Sequence, residues 1–287
     1  MVPKGKLVII GGHEDKGEVN GENLTIHKKD RSQTHFEILS TLIIKIPRVH
    51  HVIEIIASAS TIAQEMEELY LHSYKLAGFT HVRFIRIDKA KDAKDPNIVR
   101  RIKSSHVVFF TGGDQKRLVD LLKDSPVIKA IERKYYNDKY FILAGTSAGA
   151  MAVGETIITG GVITAALYKG TLKIGEGFSL LKNVLVDTHF IKRGRFARLA
   201  QAVCMHPECL GIGLEEDTAL VISEGNKAKC IGSGMVVLID GSSIKKTNID
   251  SVKRRTPIVM DNLNVSIIAS GSKYSLSERK LIKYKEK

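Results

Sequence analysis

Tryptophan is absent from this 287-residue chain, cysteine occurs three times, proline six times, and aromatic residues make up only 6%. Each scarcity excludes something. Cys204, Cys209 and Cys230 form an odd set, which argues against a disulfide framework and for a reducing, cytoplasmic setting. So few rings offer little for nucleobases to stack on, so the net charge of +13 does not by itself make the chain a nucleic-acid binder. Its basic residues are dispersed, and the clusters Lys253-Arg254-Arg255 and Lys280 to Lys287 read as solvated surface. No apolar run approaches the roughly 20 residues of a membrane-spanning helix; runs such as Leu7 to Ile10 and Val236 to Ile239 are strand-sized. An apolar run begins already at Leu7, too early for the apolar segment of a signal peptide to precede it. With 43% hydrophobic and 26% charged residues and no Pro- or Ser-rich linker, a single α/β domain over residues 1–287 is the simplest expectation.

What is present is an alternation of strand-like and helix-like stretches. Lys6 to Ile10, Val52 to Ala57, His81 to Ile87, His106 to Phe110 and Tyr140 to Ala144 are apolar and short, as strands are. Between them, Ile62 to Leu76, Asn97 to Lys103, Arg117 to Leu122 and Val127 to Tyr136 carry helical spacing, with Gly78 placed to close the first. Such βαβα order predicts a doubly wound, mostly parallel sheet with helices on both faces, a three-layer arrangement of the flavodoxin-like kind. Reactive groups then gather at the carboxyl ends of the strands, where Gly11-Gly12, Ser58-Ala59-Ser60, Gly112-Gly113 and Gly145-x-Ser147 lie. Beyond Met151 the strands shorten and glycine-rich turns multiply. Ala219 to Ile222, Met235 to Ile239 and Leu263 to Ala269 predict a partly antiparallel finish, and the polar stretch Asn20 to Phe36 reads as a surface loop.

The segment Ala144-Gly145-Thr146-Ser147-Ala148-Gly149-Ala150-Met151 contains Gly-x-Ser-x-Gly where a strand runs out. Small residues on both sides allow a sharp strand-to-helix turn that exposes the middle hydroxyl, the geometry a nucleophilic serine needs. An N-capping serine in a plain small-residue turn has the same local composition, so the neighbours must decide.

A nucleophilic serine needs a base, and the base an orienting acid. Of ten histidines, His189 follows the strand-like run Asn183 to Asp187, whereas His27, His35 and His50-His51 fall in polar or proline-flanked surroundings. Candidate acids are Glu215, Glu216 and Asp217, which follow the apolar run Gly211 to Leu214. Alternation along a strand would put Glu216 on one face and its two neighbours on the other, without saying which face serves the histidine. Arg193, Arg195 and Arg198 form either a solvated basic helix or a set of forks for substrate carboxylates. Cys204, His206 and Cys209 lack a second ligand pair for zinc and read as ordinary thiols.

Together these residues resemble the cyanophycinase family of serine peptidases. The matching landmarks, in the family's order, are Gly11-Gly12-x-Glu14-Asp15-Lys16, Thr111-Gly112-Gly113-Asp114-Gln115, Gly145-Thr146-Ser147-Ala148-Gly149-Ala150, Asp187-x-His189-Phe190 with Arg193, Arg195 and Arg198, and Gly211-Ile212-Gly213-x-x-Glu216-Asp217-Thr218. The resemblance implies a fold like the type I glutamine amidotransferases, with Ser147 as nucleophile, His189 as base and Glu216 as orienting acid. It implies an oxyanion hole of the Gly113 and Ala148 backbone N–H groups, and substrate binding by Gln115, Asp187, Arg193, Arg195 and Arg198. The arginines would meet the substrate's carboxylates, and Asp187 its guanidinium. The implied substrate is cyanophycin, a poly-aspartate backbone with arginine on each side-chain carboxyl, cleaved to β-Asp-Arg dipeptides. Relatives typically form homodimers and need no cofactor or metal. His13 stands where the family commonly carries a small residue, and Thr188 where Gln is common. An aspartyl dipeptidase of the same broader family is the nearest enzyme alternative, and a basic nucleic-acid-binding protein the alternative from another class.

Overall fold

The computed structural model describes residues 1–16, 36–43, 51–60 and 63–284. Most of the expected loop from Asn20 to Phe36 therefore lies outside the described residues. The runs expected as parallel strands are β1 (Lys6–Ile10), β2 (Val52–Ile56), β3 (His81–Ile85), β4 (Val107–Phe110) and β5 (Ile142–Thr146). They pair in parallel in the order β3-β2-β4-β5-β1. Alternation along these strands sends side chains to two buried faces. Val8, Ile10, Ile53, Ile55 and Phe109 face the helices α1 (Glu37–Ser40) and α2 (Ala63–Leu76), through Ile38, Leu39, Tyr70 and Tyr74. Leu7, Ile9, Ile56, Val108, Phe110 and Leu143 form the opposite core with α3 (Pro96–Ser104), α4 (Gln115–Leu122), α5 (Pro126–Asn137) and α6 (Ala148–Met151). Burying each Phe or Ile here is worth about 1.5–3 kcal/mol.

Capping sets the helix starts. Pro96 and Pro126 open α3 and α5, with Asp95 accepting from the Asn97 N–H and Ser125 from that of Ile128. Asp114 caps α4 through the N–H groups of Lys116 and Arg117. At the middle of β2, the fully buried Glu54 receives Arg101 in a two-pronged pair, Nε to Oε1 at 3.2 Å and Nη2 to Oε2 at 2.6 Å.

After the hairpin β6 (Thr156–Gly161) and β7 (Leu172–Glu176), the chain departs from a single doubly wound sheet. β8 (Val184–Thr188) and β9 (Leu210–Leu214) are parallel neighbours in a second, four-stranded sheet, joined by α7 (Phe196–Met205). Next, β10 (Thr218–Ser223) returns to the large sheet beside β1, antiparallel to it, and β11 (Lys227–Gly232) pairs with β10. β12 (Met235–Asp240) crosses back to β9, and the short β13 (Lys246–Thr247) and β14 (Met260–Asp261) pair with each other. Last come β15 (Asn264–Ala269) beside β12, then β16 (Lys273–Ser275) and β17 (Lys280–Lys283) at the edge of a nine-stranded sheet. The antiparallel finish expected of the C-terminal runs is there, divided between two sheets. The second sheet packs Val186, Ile212 and Leu238 onto the core of the first, and α7 covers its outer face with Leu199 and Val203. Gly211 and Gly213 make that packing possible. A Cβ at Gly211 would lie 2.7 Å from the Val203 side chain, and one at Gly213 would lie 2.6 Å from the Phe190 ring.

Candidate active site

The carboxyl ends of β1, β4, β5, β8 and β9 converge. Two backbone hydrogen bonds tie the segments that follow the second sheet's strands to the end of β1: the His189 N–H donates to the Gly11 carbonyl at 2.9 Å, and Asp217 to Gly12 at 2.8 Å. Within the second sheet, the Phe190 N–H donates to the Leu214 carbonyl at 3.1 Å. Space is tight there. A Cβ on Gly12, whose φ is +104°, would lie 2.4 Å from the His189 imidazole, so glycine is required.

Ser147 occupies the turn between β5 and α6 with φ 51° and ψ −113°, a sparsely populated conformation that stores strain. Its N–H donates to the Ile10 carbonyl at 3.0 Å, which fixes the elbow to β1. Gly145 and Gly149 let the turn close, since a Cβ at Gly145 would meet the backbone of Gly149 at 2.5 Å. Ser147 Oγ lies 3.0 Å from His189 Nε2, and His189 Nδ1 lies 2.7 Å from Glu216 Oε1. With its proton on Nδ1, the imidazole donates to Glu216 and accepts from the serine hydroxyl.

The electrostatics favour that protonation state. Burial holds His189 below the ordinary imidazole range, helped by Arg193 and His13 and outweighing the opposing pull of Glu216. Burial works to raise the Glu216 pKa, but hydrogen bonds from Lys192 and His189 outweigh it, so the carboxyl stays below its usual range. Lys192 Nζ holds the second oxygen, Oε2, at 2.7 Å.

The three neighbouring acids diverge because residues 215–217 form a turn rather than a strand, so alternation does not apply to them. Glu215 Oε2 accepts from the backbone N–H groups of Ile191 at 2.5 Å and Lys192 at 3.3 Å. Asp217, at φ 47°, accepts from the Asp15 N–H at 3.1 Å and the Ser233 hydroxyl at 2.6 Å. Only Glu216 turns toward the imidazole.

Gly112, after β4, faces Ser147, where a Cβ would lie 3.4 Å from the serine Cβ. The next residue, Gly113, has a φ of +138° and approaches Ala59 so closely that a Cβ would meet its carbonyl oxygen at 2.0 Å, both demanding glycine. Ala148 opens α6 directly after the serine. Gln115 donates its Nε2 to the Ile158 carbonyl at 2.5 Å. Arg193 is exposed.

Asp187 differs from the expected open carboxylate. It is fully buried and engaged by two of the arginines themselves. Arg198 grips it with Nε on Oδ2 at 2.5 Å and Nη2 on Oδ1, while Arg195 Nη1 donates to Oδ1 at 2.9 Å and to the Thr188 carbonyl at 2.8 Å. Both guanidinium groups therefore hold the carboxylate where solvent does not reach it. The Arg195 Nε–H is buried without an acceptor among the described residues. Removing one member of a buried ion cluster leaves uncompensated charge, at a cost of about 3–5 kcal/mol. Asp187→Ala is therefore expected to lower the urea midpoint substantially, with Asp187→Asn intermediate; unchanged midpoints for both would show that Arg195 and Arg198 find other partners.

Sequence reasoning gave no role to Glu14 or Lys192. Glu14 is buried, accepts from Tyr70 Oη at 2.8 Å and from Thr146 Oγ1 at 2.7 Å, and so anchors the residue before the elbow. Burial opposes its ionisation, yet Lys16 and these hydrogen bonds keep its carboxyl below the usual range. The signal was an acid two residues beyond the glycine pair at the end of β1. The three cysteines are buried and unpaired, and burial pushes Cys209 up to about 11 and Cys230 up to about 12.

The model of peptidase family S51 matches residues 25–230. The chain belongs to peptidase family S51. Cyanophycinases are among its similar curated relatives within that family. That of Synechococcus elongatus is 32% identical over 273 residues, 95% of this chain and 80% of that one. That of Geminocystis herdmanii is 30% identical over 272 residues, covering 95% and 94%. In fold the S51 chain is similar to a peptidase from an acI-B1 actinobacterium, with a TM-score of 0.64 at 22% identity over 95% of this chain and 97% of that one. Membership in S51 supports a peptidase, hence hydrolase, role. No helix among the described residues is long and apolar enough to cross a membrane.

Proposed function

We propose that the chain is a serine-type exopeptidase that hydrolyses cyanophycin to β-Asp-Arg dipeptides. The observation that carries the reaction type is the continuous hydrogen-bonded line from Ser147 Oγ through His189 to Glu216, at 3.0 and 2.7 Å, set on a strained elbow. In this reading Ser147 Oγ attacks the scissile carbonyl carbon as His189 Nε2 takes its proton, and Glu216 holds the imidazole and balances its charge. The N–H groups of Gly113 and Ala148 receive the developing oxyanion. His189 then hands its proton to the departing amine, and water repeats the sequence to release the acyl group.

The similarity to cyanophycinases supports the substrate, and Arg193, Arg195, Arg198 and Gln115 are the groups that would bind it. With Asp187 buried against two arginines, we assign it the holding of their guanidinium groups rather than contact with substrate. In this reading the enzyme works in the cytoplasm as a homodimer and requires neither cofactor nor metal. Incubation with purified cyanophycin, with products identified by mass, tests the assignment. Release of β-Asp-Arg supports it; turnover restricted to short peptides with N-terminal Asp would replace it with an aspartyl dipeptidase.

The lowered pKa of His189 sets a pH expectation. The base must be neutral to act, so kcat/KM rises with pH through the His189 pKa and levels off. Because burial depresses that pKa, the rise should be centred below the ordinary imidazole value of about 6.5. A rise centred well above neutrality would contradict His189 as the base.

A further inference from the structure

His13 takes and gives no proton in the proposed reaction, yet it is held against the residues that do. It follows Gly12 in a left-handed conformation, φ 45°, and its ring meets that of His189 edge-on, with centroids 5.4 Å apart and an interplanar angle of 77°. His13 Nε2 lies 3.8 Å from Glu216 Oε1, the same oxygen that lies 2.7 Å from His189 Nδ1. The ligand atoms of His13, His189 and Glu216 lie within 4.8 Å of one another, and this is the cluster among the described residues with metal-holding geometry.

We propose that His13, His189 and Glu216 form a binding site for a borderline-soft divalent ion of the Zn²⁺ class, and that the bound ion shuts the active site. Two imidazoles and a carboxylate are a ligand set suited to zinc, leaving a fourth position for water. Ligands about 2.0–2.1 Å from a tetrahedral zinc sit roughly 3.3–3.4 Å apart, so ligand atoms now within 4.8 Å of one another need close by no more than about 1.5 Å, a movement open to the exposed His13 side chain. Access is from solvent through His13, whose side chain is 67% exposed, whereas that of His189 is 5% exposed. Lys192 on Oε2 leaves Oε1 as the ligand oxygen.

The consequence for turnover rests on the functional reading above; the binding does not. Zinc coordinating His189 Nδ1 takes the place of the proton there. The imidazole, still neutral, then carries its single proton on Nε2, facing Ser147. It can no longer accept the serine proton, and Glu216 can no longer orient it. Zinc should therefore inhibit hydrolysis and EDTA should restore it, with EDTA alone harmless and Mg²⁺ or Ca²⁺ without effect, because those ions prefer oxygen ligands.

The test is calorimetric Zn²⁺ binding to the untagged full chain at mildly alkaline pH, run beside activity. Wild type and Ser147→Ala should bind zinc alike, because Ser147 is not a ligand. His13→Asn should weaken binding and inhibition by at least about tenfold, since even removing a group that only orients a metal ligand costs about 10- to 100-fold. Asparagine suits the left-handed backbone at this position, and at the alkaline pH of the test, where the base His189 is neutral with or without its neighbour, His13→Asn should keep the metal-free turnover of wild type. Equal zinc affinity in wild type and His13→Asn, or no binding to wild type, overturns the site. Zinc bound in a His13-dependent way without inhibition supports the site and counts instead against His189 as the base.

Discussion

Replacing Ser147 with Ala is expected to abolish hydrolysis, with kcat falling on the order of 10⁴-fold or more, while the fold persists. The elbow tolerates the change because what holds it is backbone. The Ser147 N–H still reaches Ile10, Gly145 and Gly149 still let the turn close, and alanine meets the same φ of 51° that serine does. Circular dichroism and the urea midpoint should match wild type. A variant that keeps a tenth of wild-type turnover would remove Ser147 from the mechanism, whatever its distance to His189.

The elbow could be read in the sequence because its demands are local. A strand that must turn within two residues and pack its helix start against Phe110 admits only small residues, and that need is written in Gly145 and Gly149. The parallel strands could be read for the same reason, since their buried faces require continuous apolar runs such as Val107 to Phe110. The division into two sheets could not. Whether Val184–Thr188 pairs beside β1 or with β9 depends on contacts distant in sequence, among them Phe190 over Gly213 and Val203 over Gly211.

Asp187 shows how a charge's partners escape the sequence. On a strand end beside a histidine it reads as an open acid, but α7 folds Arg195 and Arg198 back onto it, and the partner is set by tertiary packing. Glu14 went the other way, a conspicuous acid whose work is to hold Thr146 from beneath.

The acids at 215–217 are where local pattern fails most completely, and there the second large effect is expected. Glu216→Gln should cost about 10⁴-fold in kcat on the proposed mechanism. The glutamine amide can turn its NH₂ toward His189 Nδ1, which stabilises the imidazole tautomer with its proton on Nε2. That tautomer presents a donor to Ser147 and cannot take its proton. Lys192 would keep a carbonyl oxygen to bind, so the turn itself should survive. Glu215→Gln should be mild by comparison, although it removes the same charge one residue away. Its oxygen accepts from the N–H groups of Ile191 and Lys192, and a glutamine oxygen accepts equally well. The comparison separates charge near the site from the single carboxylate in contact with the imidazole. Losses of similar size in the two variants would mean that the net charge of the turn matters rather than the Glu216–His189 hydrogen bond, and the assignment of Glu216 as orienting acid would fall.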